Sequence, residues 1–157
     1  FKEEMTILDA CRQKSIYIPT LCFHDDLPAS GKCGLCAVKI NGTTFAHACI
    51  QKISKGMTIE TNTPDVIAHA RRSYNNFIDM SVPPPSPDIE EISKYLFPKS
   101  TVRTRDSDQS NSLDFDPSLC INCGRCVRMC SDVQNINALN YKKIMLILFK
   151  VNIFKND

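Results

Sequence analysis

The sequence predicts an α+β domain, a linker, and a second, smaller cysteine-rich module. Three observations carry that reading. A helix signal precedes a strand–Asn-Gly–strand pattern near the N-terminus. The composition turns abruptly to proline, serine and aspartate at residue 81. Eight of the nine cysteines fall into two groups of four whose spacings differ, so no internal repeat relates them.

Thr6 followed by Asp9 has the spacing of a capping box, with the shorter carboxylate in place of Glu. Ile7, Leu8, Cys11 and Ile16 then form a short apolar stripe, which predicts a helix over 7–14. Residues 37–40 read as a strand, Asn41-Gly42 as a two-residue hairpin turn, and 43–46 as the partner strand. Residues 57–61 after Gly56 read as another strand. Thr63-Pro64 pairs an N-cap with proline at the first helical position, and Val66, Ala70, Tyr74, Phe77 and Ile78 continue one face, predicting a helix over 64–80. Residues 81–118 hold six of the nine prolines and read as a linker, interrupted by a short helix near 89–96. The predicted organisation is thus 1–80, 81–118, a cysteine module at 119–139, and a tail at 140–157.

Composition excludes some functions. Lysine and arginine total 19 against 17 acidic residues, a net charge of +2, which gives no basic footprint for nucleic acid. The longest apolar run, Ile144 to Phe149, is far too short to span a bilayer. The chain opens on Phe1, which points to a processed or missing N-terminus. The tail, rich in Lys, Asn and Ile, reads either as a buried helix or as the end of an incomplete gene product.

The first group is Cys22, Cys33, Cys36 and Cys49, spaced C-x10-C-x2-C-x12-C; the second is Cys120, Cys123, Cys126 and Cys130, spaced C-x2-C-x2-C-x3-C. Disulfides, zinc and iron–sulfur clusters compete for such sets. Cysteines three residues apart make a poor disulfide framework. Zinc prefers two CxxC knuckles, and only Cys33/Cys36 in the first group qualifies. The second group has the spacing by which one loop wraps a four-iron cube, its fourth cysteine serving the other cluster of a two-cluster ferredoxin. Gly124 there allows a tight turn, as Gly31 and Gly34 do in the first loop, where a two-iron cluster is the natural fit despite a spacing unlike the plant type.

Other residues read blandly. Cys11 is expected to be a buried helix residue. Cys22-Phe23-His24 mimics half of a Rieske site, but Cys33-Gly34-Leu35-Cys36 offers no second histidine. His47 and His69 read as solvated or core-edge. Ser15, Ser30 and Thr44 show no nucleophilic constellation. Arg125 and Arg128 read as a solvated face, with steering of an acidic partner or tuning of a cluster potential as the sharper alternatives.

The stretch TILDACRQKSIYIPTLCFHDDLPASGKCGLCAVKINGTTFAHACI resembles the N-terminal two-iron ferredoxin domain of [FeFe] (iron-only) hydrogenases, and the related domain of the 75-kDa-type subunit of respiratory complex I. SLDFDPSLCINCGRCVRMCSDVQNINAL resembles the start of the hydrogenase two-cluster ferredoxin domain. The resemblance covers about 5–80 and 103–139. It implies a β-grasp fold whose Cys22, Cys33, Cys36 and Cys49 hold a [2Fe-2S] cluster. It also implies a [4Fe-4S] cluster on Cys120, Cys123 and Cys126, with Cys130 given to a neighbouring cluster.

By that standard this sequence departs in four ways. The strands that open a β-grasp are largely absent, leaving a sheet edge exposed. A His-plus-Cys four-iron module has no counterpart in NNFIDMSVPPPSPDIEEISKYLF. The second CxxCxxCxxxC motif is missing, so the [4Fe-4S] ligand set is incomplete. The hydrogenase catalytic domain is missing too. The implied function is a single-electron relay with a redox partner protein, either a ferredoxin or an NADH-oxidising subunit, and no catalytic centre of its own. The alternatives are a complex I subunit fragment, a stand-alone ferredoxin-like carrier, or a zinc-stabilised interaction module. The expected setting is a reducing compartment, whether a hydrogenosome or mitochondrion-like matrix or the cytoplasm.

Overall fold

In the computed structural model, which describes residues 4–78, 86–99 and 120–139, helix α1 (Ile7–Gln13) opens on the expected capping box. Asp9 N–H donates to the Thr6 hydroxyl and Thr6 N–H to the Asp9 carboxylate, both at 3.2 Å. The remaining first-turn donors find partners far along the chain: Ile7 N–H reaches Gln51 C=O at 2.8 Å and Leu8 N–H reaches Ala48 C=O at 2.9 Å. A helix leaves its first amides without internal acceptors, and here the turn after the hairpin supplies them. Ile16, expected on the apolar stripe, lies beyond the helix end and is 43% exposed.

Strands β1 (Ala37–Ile40), β2 (Thr44–His47) and β3 (Ile59–Glu60) form an antiparallel sheet in the order β2-β1-β3. The hairpin differs from its prediction by one residue. Asn41 and Gly42 both take positive φ, 50° and 70°, and Thr43 N–H closes on Ile40 C=O as the turn requires. Ile40 nonetheless pairs with Thr44, so Thr43 is an extra residue in a three-residue connection. The backbone and side chain of Asn41 bind Thr58, fastening the turn to β3.

Helix α2 (Pro64–Phe77) crosses β1, and Lys39 forms an ion pair with Asp65. Thr63 precedes the helix as predicted, but its hydroxyl donates to the Asp65 carboxylate at 2.5 Å instead of accepting a helix amide. Helix α3 (Pro87–Leu96) lies within the stretch predicted as linker, yet it belongs to the core. Ile89, Ile92 and Leu96, spaced along one face, are each at most 1% exposed. Burying each contributes roughly 1.5–3 kcal/mol before the cost of ordering the chain. Tyr74 of α2 hydrogen-bonds Ser93 of α3, and Arg71 Nε donates to Leu96 C=O at 2.7 Å.

Two hydrophobic clusters result. One joins α1 to the sheet through Ile7, Leu8, Cys11, Ile18, Val38 and Ala48. The other joins α2 to α3 through Ala70, Tyr74, Ile78, Ile89, Ile92 and Leu96, with Leu21 and Leu35 from the loop between α1 and β1. Beyond them, Gly124 at φ 75° leads into the short helix α4 (Arg125–Arg128), which runs on into one wide turn (Met129–Val133) where Gln134 N–H reaches Met129 C=O. The proline-rich run 79–85, residues 100–119 and the tail 140–157, with both readings of that tail, lie outside the described residues.

Candidate metal centre

The first four cysteines sit on the seam between the two clusters. Cys22 and Cys33 belong to the α2–α3 side, Cys36 and Cys49 to the side of α1 and the sheet, and each is at most 3% exposed. The chain places them through β1 and its neighbours. Cys36 immediately precedes β1, and its carbonyl accepts Ala48 N–H at 2.8 Å, which brings Cys49 alongside. Cys36 Sγ and Cys49 Sγ are 3.3 Å apart, and Cys22 is hydrogen-bonded to Cys33.

Within each pair the shared hydrogen bond lowers one thiol and raises the other. Cys22 is held well below the ordinary thiol range by the hydrogen bond from Cys33, then by the Ser30 hydroxyl and the backbone amides of Cys33 and Lys32. Cys33 is pushed up by that same shared bond and by burial. In the second pair Cys36 is pushed up by its bond to Cys49 and by burial, while Cys49 is pulled down by Cys36 and by the Gly31 amide. The pairs also feel one another: Cys22 acts on Cys49 and Cys33 on Cys36.

The loop from 31 to 35 therefore turns backbone N–H groups toward sulfur, a favourable surrounding for anionic ligands and bridging sulfide. Gly34 makes this turn possible. Its φ is 71°, and a Cβ there would lie 2.8 Å from Ser73 Oγ. Among the described residues no three His, Cys, Asp or Glu side chains converge on one point as a single ion requires. Two sulfur pairs facing each other across a seam fit a core of two irons, each held by two thiolates.

The second group is built differently. Cys120, Cys123 and Cys126 come from a loop and the start of α4, and none is fully buried. They lie close enough that Cys126, raised chiefly by burial, also feels Cys123 and Cys120. Cys130 is set apart: it is buried in the wide turn, and its Sγ accepts Ala138 N–H at 3.1 Å and Leu139 N–H at 3.4 Å. Three clustered sulfurs and a fourth held separately match the chemistry of a four-iron loop whose last cysteine serves another cluster.

Other candidates stay outside. Cys11 is buried among apolar neighbours, and burial raises its thiol pKa. His24 Nδ1 accepts Asp26 N–H at 3.2 Å, so that nitrogen is engaged by its own loop. His69 stacks on Phe45 with ring centroids 4.8 Å apart. His47 lies along the cysteine loop: its Nδ1 would be 3.3 Å from a Cβ at Gly31, and its Nε2 3.8 Å from one at Gly34.

Two features escaped sequence reasoning. Ser30, weighed only as a nucleophile, donates to Cys22 Sγ at 3.4 Å. Its place three residues before Cys33 was the available signal. The two arginines of the second motif are not a solvated face. Arg125 binds Asp88 of α3 at 2.7 Å, and Arg128 donates to the carbonyls of Pro28, at 2.6 Å, and Cys22. Those last partners are backbone atoms about a hundred residues away, and backbone carries no sequence signal.

Residues 1–64 match the family described as 2Fe-2S iron-sulfur cluster binding domain, and residues 113–131 match the 4Fe-4S binding domain. The chain is 30% identical over 149 residues to the gamma subunit of the NAD-reducing hydrogenase HoxS of Cupriavidus necator, covering 83% of this chain and 61% of the relative. It is 27% identical over 150 residues to the NADH-ubiquinone oxidoreductase 75 kDa subunit of Reclinomonas americana, covering 86% of this chain and 22% of that protein. Iron hydrogenase 1 of Clostridium pasteurianum is 28% identical over 155 residues, with 88% of this chain and 27% of the relative covered.

A crystal structure of an NAD+-reducing [NiFe]-hydrogenase in the H2-reduced state shares the fold, with a TM-score of 0.64 at 20% identity over 89% of this chain and 64% of that one. The chain thus carries segments that match [2Fe-2S] and [4Fe-4S] binding domains and is similar over most of its length to parts of two hydrogenase proteins and of the 75 kDa subunit of NADH-ubiquinone oxidoreductase. It spans less than two thirds of each of these relatives. Among the described residues no helix is long and apolar enough to cross a membrane.

Proposed function

We propose that the chain relays single electrons within a larger hydrogenase- or NADH-linked oxidoreductase. In this reading Cys22, Cys33, Cys36 and Cys49 hold a [2Fe-2S] cluster. Cys120, Cys123 and Cys126 hold three corners of a [4Fe-4S] cluster, and Cys130 serves a neighbouring one. The observation that carries it is the arrangement of four buried sulfurs in two pairs, in a loop whose amides face them. Bound there, the clusters supply reversible one-electron chemistry.

The protein's own residues set the conditions. All four cysteines would bind iron as thiolates, giving up any proton they carry on ligation. Leu21, Leu35 and Tyr74, each at most 2% exposed, keep water from the Cys22–Cys33 side. Ile50, next to Cys49 and 50% exposed, marks the approach by which a soluble redox partner, a ferredoxin or an NADH-oxidising subunit, comes nearest. The onward acceptor is a hydrogenase catalytic domain, and the setting is a reducing compartment, hydrogenosome, mitochondrion-like matrix or cytoplasm, that keeps nine thiols unoxidised.

Anaerobic reconstitution with iron and sulfide tests the reading. A brown protein with equimolar iron and acid-labile sulfide, and an electron paramagnetic resonance signal on reduction, is the expected result. A colourless protein that binds zinc tightly and takes up no sulfide overturns it in favour of a zinc-stabilised interaction module. Sequencing the transcript beyond Leu139 separates the hydrogenase and complex I settings, since a second CxxCxxCxxxC motif and a cysteine-bearing catalytic domain belong to the former.

A further inference from the structure

We infer that Arg128 is a positioning residue that ties the two cysteine motifs together and sets a fixed positive charge beside the first. This rests on the relay reading above. Arg128 stands two residues after Cys126 and two before Cys130. One guanidinium nitrogen donates to Pro28 C=O at 2.6 Å and the other to Cys22 C=O. The peptide carbonyl of a first-group cysteine is thereby bonded directly to the helix that carries a second-group cysteine. Guanidinium is suited to this, because its planar fork reaches two acceptors at once while an ammonium acts as a point charge.

The contact is supported on both sides. Ile121 and Cys123 pack against the cluster of buried residues that contains Cys22 and Cys33. Arg125, on the same short helix, binds Asp88 at the start of α3, and α3 is fastened to α2 through Tyr74 and Ser93. Arg128 and Arg125 are thus polar links at a junction whose apolar part is Ile121 and Cys123, and Arg128 alone of the two reaches a first-group cysteine. An added electron makes a cluster more negative, so a cation fixed near the Cys22 peptide favours the reduced form and raises the potential.

The test uses the full chain reconstituted with iron and sulfide, unmutated and as Arg128→Gln and Arg128→Lys. Two quantities are read: the midpoint potential of the two-iron signal, and backbone hydrogen exchange over residues 125–133. Arg128→Gln is expected to shift the potential downward and to speed exchange by about tenfold, as loss of hydrogen bonds from a charged donor implies. Arg128→Lys keeps the charge but not the fork, so its potential stays near that of the unmutated chain while exchange still quickens.

The inference is overturned if Arg128→Gln leaves both quantities unchanged, or if Arg128→Lys shifts the potential as far as Arg128→Gln does. Should Arg128→Gln take up no cluster, Arg128→Lys decides: faster exchange at an unchanged potential supports the clamp, and unchanged exchange removes it. If the unmutated chain itself takes up no iron and sulfide, the relay reading fails separately. The clamp is then judged by exchange in the metal-free chains, where equal rates in the unmutated protein and Arg128→Gln overturn it.

Discussion

The two cysteine groups have the same number of sulfurs and opposite architectures. The first is assembled from distant elements: a loop, the start of β1 and the turn after β2, all buried at the seam of two hydrophobic clusters. The second comes from eleven consecutive residues with little sheet or helix of its own, and it leans on the first domain through Ile121, Cys123, Arg125 and Arg128. A site made of long-range contacts is preformed by the fold. A site made of local spacing needs only its loop, but borrows its rigidity.

The hardest blow to this contrast is removal of a ligand. Cys33→Ser or Cys36→Ser is expected to abolish the two-iron absorption and resonance signal outright. Cys11→Ser leaves them intact and costs about 1–3 kcal/mol for a hydroxyl placed among apolar neighbours. Loss of the signal in Cys11→Ser would show the ligand assignment to be wrong.

Next comes Leu96→Ala, which opens a cavity where α3 meets α2 and destabilises the chain by about 2–5 kcal/mol in thermal or denaturant unfolding. Because Asp88 of α3 anchors Arg125, iron bound by the second motif should be lost before the two-iron signal fades. The reverse order would mean that the second site does not depend on the first domain.

Gly34→Ala is smaller. The left-handed backbone at φ 71° costs about 1–2 kcal/mol for a residue with a side chain, and the new Cβ meets Ser73 Oγ. Gly34→Ala with Ser73→Ala should recover the steric part only, leaving a lower melting temperature than the unmutated chain.

The mildest test is acid. The Lys39 ammonium, then the Thr63 hydroxyl, hold the Asp65 carboxyl down to about 2. A depressed carboxyl contributes stability that is complete above its unfolded pKa near 4 and disappears as pH falls through the folded value. The metal-free chain should therefore lose melting temperature between about pH 4 and pH 2, and Asp65→Asn should flatten that decline.

Much of this was written in the sequence where the signal is local. The Thr6–Asp9 box, the Asn41-Gly42 turn and the Pro64 helix start each follow from residues a few positions apart. Even there the count slipped by one, because positive φ at Asn41 and Gly42 specifies a turn but not whether Thr43 joins the strand. Helix α3 is legible as a helix but not as core, because its flanking prolines and serines give the whole stretch the composition of a linker. The stripe Ile89, Ile92, Leu96 is the better guide. The cysteine spacing advertised both groups, yet the division into Cys22 with Cys33 and Cys36 with Cys49 is a tertiary fact, set by the carbonyl of Cys36 meeting the amide of Ala48.

The bonds from Ile7 to Gln51 and from Leu8 to Ala48 also bear on the order of events during synthesis. As the chain leaves the ribosome, α1 and three of the first-group thiols emerge well before residues 44–51. Until those residues arrive, the opening amides of α1 have no acceptors and Cys49 is not in place. Helix α1, made before the residues that supply its acceptors, is thus among the last of these elements to settle. In the interval Cys22, Cys33 and Cys36 are open thiols, so delivery of iron and sulfide to this site is best matched to a chain that has already passed its second strand.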